Sequence, residues 1–282
     1  MSNLIDTSKI CIIVLGCSGM LGKYVSEYFK RNNYIVECIS RENLNVKTDI
    51  LNLYYVLSTH TQKYGSNVKK YFINCVGCIP QKNYCASDVI SVNAEFPHKL
   101  NHIIEILGGR LIHITTDCVF SGKTGNYNEL CESDASNVYG MSKYMGECKH
   151  ATVIRTSIIG EELYNKKSLL EWIKSFKTQP HKSIPGFTNH YWNGITCLTL
   201  AKYIEFLIIN DLLWIGTRHV FSESVTKYEL IKMVCSVYKI SNSIIPTEDE
   251  PINRTLSSIH SSLYSIPPLL QQLHELYEFH LG

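Results

Sequence analysis

An apolar segment that leads directly into a glycine-rich turn is the feature that most constrains this chain. Ile10–Leu15 is apolar and rich in β-branched residues, which is typical of a parallel strand buried on both faces. Gly16, Gly19 and Gly22 follow it, and the next segment has apolar residues at helical spacing, namely Leu21, Val25, Tyr28 and Phe29. This order predicts a βα unit whose helix N-terminus can bind a phosphate. A tight turn without a ligand is the alternative.

The end of the second predicted strand bears on the choice of dinucleotide. Residues 34–39 are predicted to form this strand, and Ser40 and Arg41 follow it. A site for NAD usually has Asp or Glu here to bind the ribose 2′-hydroxyl, whereas a hydroxyl and a guanidinium suit a 2′-phosphate. We therefore predict NADPH, with NADH as the alternative because Glu42 is adjacent.

Strand-like and helix-like segments alternate through the first two thirds of the chain. Predicted strands lie at residues 71–76, 110–115 and 152–157, and predicted helices at residues 53–64, 91–107 and 139–148. The alternation predicts an α/β fold with a doubly wound parallel sheet of the Rossmann type. Beyond residue 160 the pattern loosens to helices at 169–176, 198–209 and 227–238 and a short strand at 219–221. We expect residues 1–160 to bind the dinucleotide and residues 161–282 to form a smaller, mainly substrate-binding region.

Composition limits the classes of function. The 282 residues include 27 basic and 25 acidic side chains, and no basic run indicates a nucleic-acid partner. No apolar stretch reaches the length of a membrane span, and we expect no signal peptide from the polar N-terminal residues. Eleven scattered cysteines favour a reducing, cytoplasmic compartment. Cys75 and Cys78 form a C-x-x-C pair, but no second pair or histidine cluster completes a metal site, so we predict no metal.

Tyr139 and Lys143 are one helical turn apart in the predicted helix. A nearby ammonium lowers the pKa of a phenol, which is otherwise near 10, and allows it to donate a proton to a carbonyl oxygen as a hydride reaches the carbon. Thr116 follows a predicted strand, at the sheet edge where ligands bind. The combination points to hydride transfer at a carbonyl, although Tyr139 and Lys143 alone could be an ordinary surface pair.

Taken together, these motifs resemble the extended short-chain dehydrogenases/reductases. The likeness is to their nucleotide-sugar branch, which includes dTDP-4-dehydrorhamnose reductase and GDP-L-fucose synthase. The resemblance implies a catalytic triad of Thr116, Tyr139 and Lys143, and it places Arg254 near the nucleotide phosphates. The cofactor site expected from the residues and the resemblance comprises Gly16, Ser18, Gly19, Met20, Leu21, Gly22, Ser40, Arg41, Asp49, Ile50, Asn74, Cys75, Val76, Tyr139 and Lys143. The substrate is expected to contact Thr116, Cys118 and Arg254.

Cys118 departs from the tyrosine that simple 4-reductases of this branch carry two residues after the triad threonine. The fucose synthase and the bifunctional rhamnose epimerase-reductases have a catalytic cysteine there. A 4-ketone acidifies the neighbouring C3 and C5 hydrogens, so a cysteine beside it can move protons. Lys167 falls where the fucose enzyme has the histidine that partners this cysteine. A small packing residue at Cys118 and a solvated loop lysine at Lys167 are the alternatives.

The sequence as a whole predicts an NADPH-dependent reductase of a nucleotide-linked 4-keto-6-deoxyhexose. Epimerisation at C3, C5 or both would precede reduction and give an L-rhamnose-type sugar carried on UDP or dTDP. A plain 4-keto reductase is one rival. A non-catalytic regulatory subunit of the same fold, as in the β subunit of methionine adenosyltransferase, is another. Related enzymes often pair through the helices that flank the sheet, so we expect a homodimer.

Overall fold

The computed structural model describes residues 6–47, 50–79, 84–164 and 166–281. Within them the strands are β1 (Ile10–Leu15), β2 (Ile35–Ile39), β3 (Lys69–Asn74), β4 (Arg110–Thr116), β5 (Thr152–Thr156), β6 (Ile158–Ile159), β7 (Ile184–Phe187), β8 (His190–Trp192), β9 (Ile195–Thr196), β10 (Gly216–His219), β11 (Val225–Thr226), β12 (Ile244–Thr247) and β13 (Ile252–Asn253). The α-helices are α1 (Met20–Arg31), α2 (Leu53–Gln62), α3 (Ala86–Ile90), α4 (Phe96–Ile106), α5 (Val138–Met145), α6 (Leu169–Ser175), α7 (Cys197–Ile209), α8 (Lys227–Tyr238) and α9 (Leu269–Glu278). A π-helical turn, Ser91–Glu95, joins α3 to α4.

The chain divides into two compact units whose segments are interleaved along the sequence. The first unit draws on Met1–Thr115, Ser136–Ile154 and Ala201–Thr217. The second draws on Thr116–Ala135, Arg155–Leu200 and Arg218–Gly282. The assignment of residues 1–160 to the dinucleotide and 161–282 mainly to the substrate concerns binding, and it stays a prediction.

A six-stranded sheet in the order β10-β5-β4-β3-β1-β2 organises the first unit, although the last residues of β4, β5 and β10 are assigned to the second. β1 pairs in parallel with both β2 and β3, and β3 pairs in parallel with β4. Every residue of β1 is buried, as expected for a central strand covered on both faces. The predicted α/β fold with a doubly wound parallel sheet is therefore confirmed. The chain crosses over between β1 and β3, and ligands of such sheets bind where these strands end.

Amphipathic helices cover this sheet. α1 buries Leu21, Val25 and Phe29, the predicted apolar face. On β1, alternate side chains, including Ile13, join a core that also contains Phe72. The remaining members include Cys11, Leu15, Leu53, Leu57, Phe96, Leu100 and Ile104 from β1, α2 and α4. This packing fixes the carboxyl ends of β1 and β3, from which the candidate site is built.

The second unit has smaller sheets and two longer helices. β8 pairs antiparallel with β11 and parallel with β13, while β7 pairs with β12 and β6 with β9. A capping box in which Thr226 and Glu229 bond each other's backbone begins α8 at Lys227, as predicted.

The short strand expected at residues 219–221 is instead Gly216–His219. Its pairing starts at Gly216, whose N–H donates to the Ala151 carbonyl (2.9 Å), and the apolar pattern of the sequence does not reveal that contact. Across the described ranges, no helix is both long and apolar enough to cross a membrane.

Candidate functional site

The glycine loop after β1 has the shape of an anion cradle. Gly16 has a positive φ of 76°, which favours glycine, and its N–H donates to the Ile39 carbonyl at 2.8 Å. A Cβ on Gly22 would lie 2.2 Å from the Gly16 carbonyl oxygen, so only glycine allows the helix to approach the loop this closely. No side chain caps α1 at Gly19, and its first turn contains no acidic residue. The N–H groups at the helix start can therefore bind an anion, and these residues fit a dinucleotide pyrophosphate.

The turn after β2 carries the residues predicted to select the dinucleotide. Ser40 is half-buried and forms the turn through Asn43, whose side-chain oxygen accepts from the Ser40 N–H and hydroxyl, each at 3.0 Å. Arg41 is exposed, and its guanidinium donates to the Tyr84 hydroxyl at 3.1 Å. The ammonium of Lys47 lies 5.7 Å from the centre of the Tyr84 ring. This corner of the first unit thus presents two cations around an aromatic ring, although Lys47 is also paired with Asp88.

The loop after β3 is held from inside the first unit. The Asn74 side chain is fully buried: its amide donates to Nδ1 of His113 (3.0 Å) and its oxygen accepts from the Val76 N–H (3.1 Å). Burial beside Lys143 keeps the pKa of His113 well below its usual value, so the ring stays neutral and can accept this bond. Asn74 therefore shapes the loop, while Cys75 and Val76 are the half-buried residues that follow it.

Asn93 connects the same loop to α5. Its side chain bonds both the N–H and the carbonyl of Cys78, each at 2.9 Å, and also donates to the Ser142 hydroxyl at 3.3 Å. A Cβ on Gly146 would lie 1.9 Å from the Asn93 carbonyl oxygen, so α5 ends in close contact with the π-helical turn. Asn93 lies in the segment 91–107 predicted to be helical, and its contacts explain why an amide at this position orders two elements.

Helix α5 presents Tyr139 and Lys143. The Asn137 side chain accepts from the Gly140 N–H at 2.8 Å and so begins the helix at Val138. Tyr139 is half-buried, whereas Lys143 is only 5% exposed and donates to the Ile114 carbonyl at 2.9 Å.

Burial makes the positively charged form of Lys143 unfavourable. Desolvation lowers the pKa of its ammonium to about 8, and the acidic neighbours Glu147 and Cys75 oppose this only in part. The cost of burying this cation points to a functional role rather than to a stabilising one.

Thr116 and Cys118 belong to the second unit, on either side of Asp117. The Thr116 hydroxyl lies 3.1 Å from a carboxyl oxygen of Asp117 and accepts from the Cys118 N–H at 3.2 Å. The Cys118 thiol lies 3.6 Å from the same Asp117 oxygen. Burial raises the pKa of Asp117, and burial together with the Asp117 charge raises the pKa of the Cys118 thiol to about 12. Cys118 is therefore protonated at neutral pH.

Lys227, the first residue of α8, is a charged neighbour that sequence reasoning missed. Its ammonium lies 5.0 Å from the centre of the Trp192 ring and interacts electrostatically with both Asp117 and Cys118. Desolvation lowers the pKa of Lys227 to about 8, although the carboxylate form of Asp117 opposes the shift. The capping box predicts where α8 begins, but the approach of Lys227 to Cys118 is long-range and has no signal in the sequence.

Arg254 belongs to the same group of charges as Lys227. Arg254 follows β13, donates from Nε to the Phe120 carbonyl at 2.9 Å, and acts electrostatically on Asp117 and Cys118. Lys167 is exposed and precedes Ser168, the residue that caps α6. Its predicted role as the partner of Cys118 stays a prediction.

Two residues predicted for the cofactor site are wholly or partly outside the residues that the structure describes. Asp49 is outside the described residues, as is the side chain of Ile50. Among the residues that are described, no group of three or more His, Cys, Asp and Glu side chains is arranged to hold a metal ion. Tyr139 and Lys143 are in the first unit and Thr116 is in the second, so the catalytic triad also stays a prediction.

Comparison with known proteins identifies the family. Residues 12–154 match the profile of the "NAD dependent epimerase/dehydratase family", which covers half of the chain. The chain belongs to this family. The resemblance to extended short-chain dehydrogenases/reductases is thus confirmed, and the glycine loop lies within the matched residues.

The chain is similar to a subunit of methionine adenosyltransferase and to reductases of dTDP-4-dehydrorhamnose. Methionine adenosyltransferase 2 subunit beta of Danio rerio is 24% identical over 267 residues, covering 85% of this chain and 78% of that protein. A dTDP-4-dehydrorhamnose reductase of Streptomyces griseus is 27% identical over 138 residues, covering 48% of this chain and 43% of the reductase. The crystal structure of dTDP-4-dehydrorhamnose reductase from Bacillus anthracis in complex with NADP superposes with a TM-score of 0.79 at 20% identity, covering 95% of this chain and 98% of that one. At this identity the structural likeness shows the fold.

Proposed function

We propose that this protein reduces the 4-keto group of a nucleotide-linked 4-keto-6-deoxyhexose with NADPH. The observation that carries the proposal is the buried ammonium of Lys143, one turn after Tyr139 on a helix that Asn137 caps. This arrangement suits a phenol that must give up a proton at neutral pH. Similarity to reductases of nucleotide sugars supports the substrate class.

The residues of the chain have separate tasks in this reaction. Bound NADPH supplies the hydride. Tyr139 protonates the ketone oxygen. The Lys143 ammonium lowers the pKa of the Tyr139 phenol, and its hydrogen bond to the Ile114 carbonyl holds the ammonium in place. Thr116 is expected to hydrogen-bond the same ketone oxygen. Because the pKa of Lys143 is lowered to about 8, its positive charge is lost as the pH rises above that value, and reduction should slow there.

NADPH is favoured over NADH by residues of the first unit. The glycine loop and the start of α1 would bind the pyrophosphate. Arg41, supported by Tyr84, and Ser40 would bind the ribose 2′-phosphate, since neither is the acidic residue that a ribose 2′-hydroxyl prefers. The NADP complex of the related Bacillus anthracis reductase supports this choice.

Epimerisation at C3 or C5 before reduction is the finer part of the proposal. Since the Cys118 thiol is protonated at neutral pH, it is suited to donate a proton to a sugar enolate rather than to remove one. The removal needs a base, and Lys227, whose pKa is lowered to about 8, is partly neutral near physiological pH. Lys167, predicted from the family, is the alternative base. The product would be an L-rhamnose-type sugar on UDP or dTDP.

Turnover is the direct test. The protein is incubated with UDP- or dTDP-4-keto-6-deoxyglucose and NADPH, the loss of NADPH absorbance is followed, and the product is examined by NMR. Tyr139→Phe serves as the inactive control. Absence of turnover with both substrates, while NADPH binds, would contradict the proposed reaction.

Solvent exchange tests the epimerisation separately. In D₂O without NADPH, the wild type should incorporate deuterium at C3 or C5 of the 4-keto sugar, and Cys118→Ser should abolish this. Lys227→Gln should impair one position if Lys227 is the base, whereas Lys167→Ala should do so if the family prediction holds. A wild type that shows no exchange is a plain 4-keto reductase.

A regulatory subunit is the second candidate, and one observation favours it. The similarity to methionine adenosyltransferase 2 subunit beta extends over 85% of this chain, whereas that to the Streptomyces griseus reductase extends over 48%. This candidate predicts that the protein binds a methionine adenosyltransferase catalytic subunit and changes its activity, without consuming NADPH. Co-purification with such a subunit and an assay of its activity distinguish the two functions.

We also propose where the protein works, how it assembles and which part of the chain binds each ligand. We infer a cytoplasmic homodimer, in which residues 1–160 bind the dinucleotide and residues 161–282 mainly bind the nucleotide sugar. Light scattering on the purified protein measures the assembly. Two measurements test which region binds which ligand. One is the Kd for NADPH in the absence of the sugar nucleotide, and the other is the Kd for the sugar nucleotide in variants of each region.

A further inference from the structure

Two cations meet at one aromatic ring in the first unit, where the turn after β2 approaches α3. Arg41 donates to the Tyr84 hydroxyl at 3.1 Å, and the Lys47 ammonium lies 5.7 Å from the centre of the Tyr84 ring, within the range of a cation–π contact. Lys47 also forms an ion pair with Asp88 of α3. Of the two cations, only Arg41 has a task in the binding of NADPH proposed above.

Packing beneath the ring holds this group together. Tyr84 and Val46 both pack against an apolar cluster that contains buried Val89. Val46 directly precedes Lys47, and Val89 directly follows Asp88. The same cluster therefore positions the aromatic ring and the backbone of both members of the ion pair, so the group is a defined feature of the fold.

The group begins at the sheet edge that carries the glycine loop. The Gly16 N–H donates to the carbonyl of Ile39, the last residue of β2, at 2.8 Å. Ser40 follows, and its carbonyl accepts from the Asn43 N–H at 3.2 Å, which closes the turn that contains Arg41. The turn therefore starts beside the loop expected to bind the pyrophosphate, which is where a dinucleotide places its adenosine ribose.

The charge of a ribose 2′-phosphate is larger than Arg41 alone can balance. A phosphate monoester carries about −1.5 to −2 charges at pH 7, whereas a guanidinium supplies one positive charge. The side chains of Lys47 and Asp88 are both partly exposed, and an exposed ion pair contributes little to stability. A bond from an ammonium to a phosphate is charge-assisted, and the flexible lysine stem allows the ammonium to turn toward it.

We propose that Lys47 is the second cation of the 2′-phosphate site and that it exchanges Asp88 for the phosphate when NADPH binds. Without NADPH, Asp88 neutralises Lys47 and limits its repulsion of Arg41. The Tyr84 hydroxyl accepts from Arg41 and can donate its own hydrogen to the same phosphate. NADH has no 2′-phosphate, so with NADH the ammonium stays on Asp88. Lys47 and Asp88 therefore act on the choice between the two dinucleotides.

Isothermal titration calorimetry with NADPH and with NADH tests this choice without turnover. Lys47→Ala should raise the Kd for NADPH by about tenfold, because a charge-assisted bond is lost. Asp88→Asn should lower it by about two- to fivefold, since the competing carboxylate is removed. Tyr84→Phe keeps the ring but loses the hydroxyl, and should raise it by about two- to tenfold. The Kd for NADH should stay unchanged in all three variants, which also shows that they are folded.

A second lysine–carboxylate pair in the first unit provides matched controls. Lys9 pairs with Asp6 at 3.1 Å, and both side chains are more than half exposed. Lys9 precedes β1 whereas the glycine loop follows it, so the strand length of about 20 Å separates this pair from the loop. That distance exceeds the screening length of about 10 Å in 0.1 M salt. Lys9→Ala and Asp6→Asn should therefore leave both Kd values unchanged.

The inference rests on the proposed binding of NADPH, and it can fail separately from the proposed reaction. A protein that binds NADPH through Lys47 but reduces no 4-keto sugar nucleotide keeps the inference and loses the reaction. Equal losses of NADPH and NADH in Lys47→Ala, or no loss of either, overturn the role of Lys47. Weaker binding of NADPH by Asp88→Asn overturns the exchange of partners, since the carboxylate would then hold Lys47 in place for the phosphate. A wild type that binds NADPH no more tightly than NADH overturns both the cofactor choice and the inference.

Discussion

Replacement of Lys143 by methionine should make the protein more stable and at the same time inactive. Methionine keeps the length and apolar stem of the side chain but removes the ammonium that is buried against the Ile114 carbonyl. The buried charge is costly, since desolvation lowers the pKa of Lys143 from 10.5 to about 8. A residue retained for catalysis at the expense of stability should show both effects together.

The magnitude follows from the pKa shift. A fall from 10.5 to about 8 corresponds to about 3 kcal/mol of unfolding free energy, because each unit of pKa is worth about 1.36 kcal/mol. The lost hydrogen bond to the Ile114 carbonyl offsets about 1 kcal/mol of this. At pH 7, where Lys143 is charged in both states, Lys143→Met should therefore raise the unfolding free energy by about 2 kcal/mol.

The sign of the pH dependence is fixed by the direction of the shift. A folded-state pKa below the unfolded value means that the unfolded chain binds the proton more tightly. The wild type should therefore gain stability as the pH rises from about 8 to 10.5, and the variant should lack this contribution. Its advantage of about 2 kcal/mol at pH 7 should disappear by the upper end of that window.

Urea unfolding of both proteins between pH 7 and pH 10.5 measures the difference. Lys227, with a similarly lowered pKa, contributes equally to both proteins, so the difference isolates Lys143. Lys149→Met, at an exposed lysine, is the matched control and should leave stability nearly unchanged at each pH. If Lys143→Met is less stable than the wild type at pH 7, or if the difference between them does not change with pH, Lys143 is not buried as a costly cation and this reasoning is wrong.

Three further substitutions test the site. Tyr139→Phe removes the proton donor but keeps the ring, so reduction should fall by about 10²- to 10⁴-fold with an unchanged Kd for NADPH; near-normal turnover would exclude Tyr139 as the acid. Arg41→Ala should weaken NADPH more than NADH, by about 1–3 kcal/mol in calorimetric titrations, and equal losses for both would refute contact with a 2′-phosphate. Arg254→Ala should raise KM for the nucleotide sugar far more than it lowers kcat, and steady-state kinetics with an unchanged KM would remove Arg254 from the substrate site.

The parts of the fold that follow local rules could be predicted from the sequence. β1 and α8 have the predicted bounds, because a β-branched run before glycine and a capping box before an apolar helix are local signals. α5 ends at Met145 rather than at residue 148, and Gly146, which follows it, lies too close to the Asn93 carbonyl to allow a side chain. That contact joins segments far apart in the sequence, so periodicity could not reveal it.

The electrostatics of the site could not be predicted for the same reason. From its residue type alone Cys118 could be a base or an acid, but burial beside Asp117 keeps its thiol protonated at neutral pH. Lys227 was missed because its charge reaches Cys118 only through the folded chain. The bonds of the Asn74 side chain to His113 and Val76 are likewise formed only in the folded chain, and its place beside the dinucleotide stays a prediction. In each case the sequence shows the residue type, whereas the neighbouring charges and hydrogen-bond partners are brought together only by folding.

Buried Lys143 and half-buried Lys227 also bear on the choice between an enzyme and a regulatory subunit. Each carries a pKa lowered to about 8 by desolvation, so each charge opposes folding at neutral pH. The unfolding free energy of a domain is usually only about 5–15 kcal/mol, so two such charges lower it by a sizeable fraction. Binding a partner at the surface gives no reason for a desolvated ammonium one helical turn after Tyr139. Donation of a proton by a phenol at neutral pH does give one, and for that reason the enzymatic proposal accounts for more of this structure than the regulatory one.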